Sequence, residues 1–330
     1  MNPPRLSRRS SRRVAGRIAA LFALAMALPA LAQEITLRAV NAFQEGTYYA
    51  RNFERFVKKV NDEGKGLVQI NYLGGPKAIP TMEQGSALRN GVVDLSNTTT
   101  SFVASVSPES LAVNYATVPW AELRKNGTVD YLNKLMMEKG LYYFARTGDG
   151  VPYHIYLNKK IDKADLSGLK IRIAPIYREF FTKLGASVMQ VAPGEVCTAL
   201  DRGVVDGCGW PLLGIFDLGW HEKTKYRVDP GFYNIELGII FSAKSWNALT
   251  AAQREFLNKQ VAWVEAQNAD MNTKDGPADL KRQADAGIQT IKLPEAEAKK
   301  LLTLSQEAGW AGILATSPQH GAKLRQLLAP

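Results

Sequence analysis

The stretch Asp165-Leu166-Ser167-Gly168-Leu169-Lys170-Ile171-Arg172-Ile173 reads as a turn running into a short strand. Ser167 and Gly168 supply turn chemistry. In the strand, Ile171 and Ile173 share one face while Lys170, Arg172 and Ala174 share the other. The alternation continues downstream: a helical pattern over 177–184, an extended run at 188–191, a helical pattern over 194–200 and a further extended run over 204–210. Strands and helices alternating with short links specify an α/β sheet flanked by helices.

The same rhythm extends upstream. Residues 35–40 and 68–73 read as strands, and 93–97 as strand-like; helical patterns over 48–60 and 82–88 lie between them. Phe53, Phe56 and Val57 fall on one face of the first helix. A long extended stretch, 141–160, is interrupted at Gly148-Asp149-Gly150, where a second unit begins. Extended runs return at 226–228 and 236–241. Beyond Leu249 the chain is mostly helical, with a helix over 251–270, a break expected at Gly276-Pro277, a short strand at 290–293 and a helix opened by Pro294-Glu295. The length exceeds one ordinary hydrophobic core. The expected organisation is a first domain made of 33–150 and 245–312, interrupted by a second at 151–244, with 313–330 as a C-terminal tail or helix.

Residues 1–32 set the compartment. Arg5, Arg8, Arg9, Arg12, Arg13 and Arg17 form a basic head, an apolar run covers 18–28, and Pro29-Ala30-Leu31-Ala32-Gln33 ends in a small-x-small pattern. That order is a secretory signal with the cut expected after Ala32. The apolar run falls short of the roughly 20 residues needed to span a hydrocarbon core. The full chain carries 41 Lys and Arg against 31 Asp and Glu; six of those bases and none of the acids lie in 1–32, so the remainder is +4 rather than +10. No stretch after residue 32 gathers bases into a stripe interleaved with aromatics, so a nucleic-acid partner is not expected. The expected compartment is the periplasm.

Enzyme motifs are missing. Gly74-Gly75-Pro76-Lys77 and Gly91 are too sparse for a dinucleotide fingerprint, there is no phosphate loop, and Ser101 and Ser107 lack a nucleophile elbow. His154, His221 and His320 show no metal-ligand spacing with Cys197 or Cys208, so neither zinc nor a cofactor is expected. An oxidising compartment permits a Cys197–Cys208 bridge; two sheltered thiols is the other arrangement, and the sequence leaves both open. A binding reading has more to stand on. Arg172 on the polar face of its strand, if it points into a cleft between domains, grips a carboxylate with two parallel hydrogen bonds. An ordinary solvated arginine satisfies the same spacing.

At this residue the chain resembles the solute-binding proteins of tripartite ATP-independent periplasmic (TRAP) transporters, the DctP family. The resemblance runs from about residue 37 to 312. It rests on 165–172, Gly185, Val191-Ala192-Pro193-Gly194-Glu195-Val196 and Ala199-Leu200-Asp201-Arg202-Gly203-Val204-Val205-Asp206-Gly207, with Gly74-Gly75-Pro76 and Gly91-Val92-Val93-Asp94 matching first-domain turns. It implies a two-lobed periplasmic binding fold with an interdomain cleft and long C-terminal helices. It also implies that Arg172 is the carboxylate-gripping residue, that Glu195, Trp210 and Asn234 orient the rest of the ligand, and that Tyr48 and Thr98 contribute from the first domain. Gly209 and Asn234 stand near positions where members that bind a keto acid through a cation carry carboxylates, which argues against a bound metal, although Glu236 is close by. Pro152-Tyr153-His154 occupies the region where sialic-acid-binding members carry a further arginine; Arg146 is near but at another offset. Arg146 and Tyr153 complete the candidate ligand-binding set. The implied function is capture of a small organic acid and delivery to the membrane subunits of a TRAP transporter, as a monomer and without catalysis. The alternatives are a secreted enzyme acting on an organic acid, for which His154 is the candidate base, and a binding protein serving a sensor or an ATP-driven transporter.

Overall fold

The computed structural model describes residues 33–330, and the expected signal segment lies outside the described residues. The strands are β1 (Ile35–Asn41), β2 (Val68–Tyr72), β3 (Leu95–Thr98), β4 (Leu141–Gly148), β5 (Pro152–Leu157), β6 (Lys170–Ile173), β7 (Ser187–Gln190), β8 (Gly207–Pro211), β9 (Tyr226–Asn234), β10 (Leu237–Ser242) and β11 (Gln289–Lys292). They form two mixed sheets, one ordered β2-β1-β3-β10-β4 and the other β11-β9-β5-β8-β6-β7. In the first, β1 runs parallel to β2 and β3, and β10 is antiparallel to β3 and β4. In the second, β6 is parallel to β7 and β8, β5 is antiparallel to β8 and β9, and β11 adds in parallel to β9. The molecule is thus an α/β protein of two lobes, one per sheet, with long C-terminal helices.

The chain crosses between the lobes at two neighbouring places, and a third time along the long helix that follows β10 and leads into β11. The extended stretch that begins at Leu141 is two strands in different sheets, separated by a turn at Asp149-Gly150 where Gly150 has φ 73°. The return crossing is Ile235-Glu236, between β9 and β10. The expected segment 151–244 therefore contains β10, which pairs in the first sheet, and 245–312 contains β11, which pairs in the second.

Apolar spacing explains how the first lobe closes. Helix Tyr48–Glu63 buries Phe53, Phe56, Val57 and Val60, spaced three and four residues apart. They join Leu37, Ala39 and Ile239 of the sheet and Leu257 and Val264 of the long helix in one core. That helix, Ala251–Asp285, opens on a Thr250–Gln253 capping box and continues without interruption past Pro277. The break expected at Gly276-Pro277 is not formed, because contacts on both sides hold the helix in line. Asn268 and Asn272 donate to the Asp149 carbonyl at 3.2 and 2.6 Å, and Gln283 donates to the Leu212 carbonyl at 2.7 Å. Residues 313–330 finish helix Glu295–Thr316 and form helix Gly321–Leu328, which docks through buried Leu324 and Leu328.

Candidate ligand-binding site between the lobes

The C-terminal ends of β1 and β3 in one lobe face β6 and β8 in the other. Ligands of open α/β sheets bind in the crevice outside such strand ends. A narrow pocket lies here; Phe43, Thr99 and Ser101 line it from the first lobe, and Tyr153, Arg172 and Trp210 from the second. Tyr49, Phe102 and Tyr177 add further aromatic wall, and Glu236 of the return crossing closes it.

Arg172 is fully buried, at 0% exposure, on a strand flanked by β7 and β8. Its Nε donates to the Val191 carbonyl at 2.8 Å and its Nη1 to the Gly209 carbonyl at 3.4 Å, while Nη2 has no partner among the described residues. The guanidinium lies 5.8 Å from the ring centroid of Trp210 and 5.5 Å from that of Trp220. No carboxylate among the described residues pairs with it: two neutral carbonyls and two indoles hold a charge whose remaining N–H groups are free to meet an anion. Trp210 Nε1 is a second buried donor without a partner. Burial pushes the Tyr153 phenol well above its ordinary pKa, as do neighbouring Tyr177 and Glu236, with Arg172 opposing.

Glu236 is 1% exposed, yet its carboxylate is fully engaged. Oε2 accepts from Thr99 Oγ1 at 3.1 Å, Thr100 N at 2.7 Å and Thr100 Oγ1 at 2.6 Å; Oε1 accepts from the Tyr143 hydroxyl at 2.6 Å. Such a set satisfies both oxygens of a buried carboxylate by hydrogen bonds alone. A lone acid in the apolar run Ile235–Ile240 was the available sequence signal for a role at this wall.

The other named residues stand elsewhere. Arg146 is buried outside the pocket, 4.1 Å from the Trp120 ring centroid and paired with Asp149 at 2.8 Å. Burial lowers its pKa, but Asp149, Tyr143 and Glu236 together hold it above its ordinary value. Arg146 and exposed Asn234 line a separate groove beside the two crossings, which shares Ile235 with the pocket. Tyr48 faces a third hollow, where its hydroxyl donates to Asn272 at 3.0 Å; it is the next residue, Tyr49, that reaches the pocket. Thr98 is buried with an unpartnered Oγ1, and Thr99 and Ser101 take the wall positions. Glu195 is exposed ahead of helix Val196–Asp201. His154 is held by Asp229 and the Val228 carbonyl, each at 3.0 Å, and is not part of the wall.

Both cysteines are free thiols. Cys208, opposite Arg172 in the β6–β8 register, is fully buried, and burial pushes its thiol up to about 12. Cys197 lies on helix Val196–Asp201 with Sγ 3.8 Å from the Gly219 carbonyl.

Residues 40–309 match the family described as bacterial extracellular solute-binding protein, family 7 (DctP). The chain belongs to this family. Among curated proteins it is 26% identical over 237 residues to the monocarboxylate 2-oxoacid-binding periplasmic protein of Nostoc sp., covering 67% of this chain and 63% of that one, so the match spans less than two thirds of the relative's length. A TRAP periplasmic solute-binding protein from Desulfovibrio salexigens, solved with bound orotic acid, superposes with a TM-score of 0.80 at 21% identity, covering 89% of this chain and 97% of the other. The Bordetella pertussis extracytoplasmic solute receptor DctP7, which binds pyroglutamic acid, gives a TM-score of 0.77 at 19% identity, covering 89% and 98%. These likenesses show the two-lobed fold of the DctP family.

Proposed function

We propose that this DctP-family protein captures a small organic acid in the periplasm, gripping its carboxylate with Arg172, and delivers it to the membrane subunits of a TRAP transporter without making or breaking a bond. The observation that carries this reading is Arg172 itself: a fully buried guanidinium with no paired carboxylate and an unpartnered Nη2 on the wall of an interlobe pocket. A buried charge is stable when an anion completes its hydrogen bonds, and a ligand carboxylate supplies both acceptors in the planar geometry a guanidinium presents. The 2-oxoacid, orotate and pyroglutamate named for three relatives all carry a carboxylate, which supports the same chemistry here. Tyr153 and Trp210 complete the grip from the second lobe, and Tyr49 and Thr99 from the first. Domain closure is a shift of population toward the form whose lobes meet around the ligand.

The test is a thermal-shift screen of protein stripped of carried-over ligand by unfolding and refolding, against keto, hydroxy, cyclic and dicarboxylic acids. A ligand that binds only the folded state raises the midpoint, by the equivalent of about 2.7 kcal/mol at a hundredfold excess over Kd. The expected result is a shift with at least one acid that disappears in Arg172→Ala, together with unfolding of that variant as a single cooperative transition. A shift of equal size in Arg172→Ala removes Arg172 from the role.

A further inference from the structure

The pocket has a charge pattern that narrows the ligand beyond "a carboxylate". Its wall contains one cation, Arg172, and one anion, Glu236. The rest is largely ring surface: Phe43, Tyr49, Phe102, Tyr153, Tyr177 and Trp210. The rings form one packed shell, with Phe43 and Tyr49 centroids 6.4 and 5.9 Å from Trp210 and Tyr153 5.3 Å from Tyr177.

Most polar groups of this shell are already committed, the Tyr153 hydroxyl being without a hydrogen bond among the described residues. Tyr49 donates its hydroxyl to the Leu213 carbonyl at 3.0 Å and Tyr177 to the Gly209 carbonyl at 3.2 Å. Thr99 donates to Glu236, and Ser101 Oγ accepts from Ile176 N at 3.2 Å. The buried groups on the wall without partners are both donors, Arg172 Nη2 and Trp210 Nε1. Arg146, outside the pocket, pairs with Asp149 through Nη1 and lies over Trp120, with Nε and Nη2 unpartnered among the described residues.

We infer that the pocket selects a small monocarboxylate with a planar, mostly apolar body, the cyclic and aromatic acids, and excludes dicarboxylates and sugar acids. The inference rests on the capture reading above and deepens it. One carboxylate satisfies the one cation. A second lies against aromatic faces, whose quadrupoles repel anions, or near Glu236, a like charge in a poorly hydrated space. A sugar acid brings several hydroxyls to a wall that is mostly ring surface, and each buried hydroxyl left unpaired costs about 1–3 kcal/mol. A flat ring, by contrast, meets aromatic surface on its faces and edges.

Calorimetric titration of stripped protein tests this with benzoate and pyroglutamate as the monocarboxylates, malonate and succinate as the dicarboxylates, and galacturonate as the sugar acid. At least one monocarboxylate is expected to bind ten times or more tightly than either dicarboxylate or the sugar acid. In Glu236→Gln, the disadvantage of succinate relative to that monocarboxylate shrinks by about threefold or more. A dicarboxylate or galacturonate that binds as tightly as the monocarboxylates, and is lost in Arg172→Ala, overturns the selectivity while leaving carboxylate capture standing. Absence of binding by every acid in the panel overturns capture and selectivity together. Where Glu236→Gln does not fold, the wild-type ratios alone decide.

Discussion

At the scale of single residues, the arrangement around Arg172 depends on a glycine whose importance is steric. Gly209 of β8 offers its carbonyl to Arg172 Nη1 and to the Tyr177 hydroxyl, and a Cβ there would stand 2.8 Å from Cε2 of Tyr177 and 3.2 Å from Cζ of Phe181. Gly209→Ala therefore forces the Tyr177 ring away from the pocket. Overpacking of this kind costs about 1–3 kcal/mol, and the displaced ring takes wall contacts from the ligand. The expected outcome is a lower urea midpoint and a Kd raised about tenfold by titration; unchanged values for both would show that the ring has room to yield. In the sequence, Arg172 is legible as a polar residue on one face of a strand, and the family resemblance gives it a role. Tyr49 and Thr99 are not legible in the same way. Tyr48 and Tyr49 are both buried in the first turn of one helix, about 100° apart around its axis, and only the docking of that helix decides which ring meets the pocket. Thr98 and Thr99 sit at a strand end, where one residue of register exchanges the two faces.

At the scale of elements, the long helix shows where local signals yield to tertiary ones. Gly276-Pro277 reads as a stop, since proline inside a helix costs about 3 kcal/mol relative to alanine. The amides of Asn268, Asn272 and Gln283 tie both flanks to backbone carbonyls of the crossing at Asp149 and of Leu212, partners far away in sequence. Periodicity gave most strands and several helices of both lobes; it gave neither the helices between β3 and β4, such as Trp120–Lys125 and Thr128–Glu138, nor the span of this helix, nor the addition of β11 to the second sheet. Beyond the adjoining residues and the helix's own backbone, no atom lies within 4 Å of the place a Cβ of Gly276 would take, so Gly276→Ala is expected to stabilise the protein by about 0.5–1 kcal/mol, read as a raised thermal midpoint, provided the Pro277 ring leaves the new Cβ room. A fall in the midpoint would mean that the helix needs the glycine's freedom beside Pro277. Strand β9 carries a pH-dependent tie. Burial raises the pKa of Asp229, but hydrogen bonds and charge from His154 and Arg227 outweigh it and bring the carboxyl down to about 2. Its pKa is thus depressed relative to the unfolded chain, near 3.9. The stability it contributes, about 2 kcal/mol, is fully present above pH 5 and is lost as pH falls through 4 toward 2. Denaturation midpoints followed from pH 6 to 2 should decline less steeply in Asp229→Asn than in the wild type; identical slopes would remove this pair from the acid response.

At the scale of the whole molecule, the lobes are joined face to face as well as through the chain crossings. Tyr49 donates to the Leu213 carbonyl at 3.0 Å, Tyr48 N to Asp217 at 2.6 Å, and Ile176 N to Ser101 Oγ at 3.2 Å. The larger apolar core runs continuously from Phe43 and Tyr49 to Trp210, Tyr153 and Tyr177. The lobes are in contact here, and pocket wall and interlobe contact are the same residues, so that under the proposed function closing and gripping are one event. Tyr49→Phe separates the two contributions, because it keeps the ring on the wall and deletes only the bond across the cleft. A net hydrogen bond contributes about 1 kcal/mol, which corresponds to a Kd raised about fivefold. The increase should lie mainly in the dissociation rate, since the open form that meets the ligand is untouched. Small-angle scattering supplies the conformational half of the test: the wild type compacts on saturation with ligand, and Tyr49→Phe compacts to the same extent but needs more ligand to do so. An unaltered dissociation rate in Tyr49→Phe, or a wild type whose radius of gyration is the same with and without ligand, would mean that the lobes stay together regardless of the ligand and that release requires some other opening.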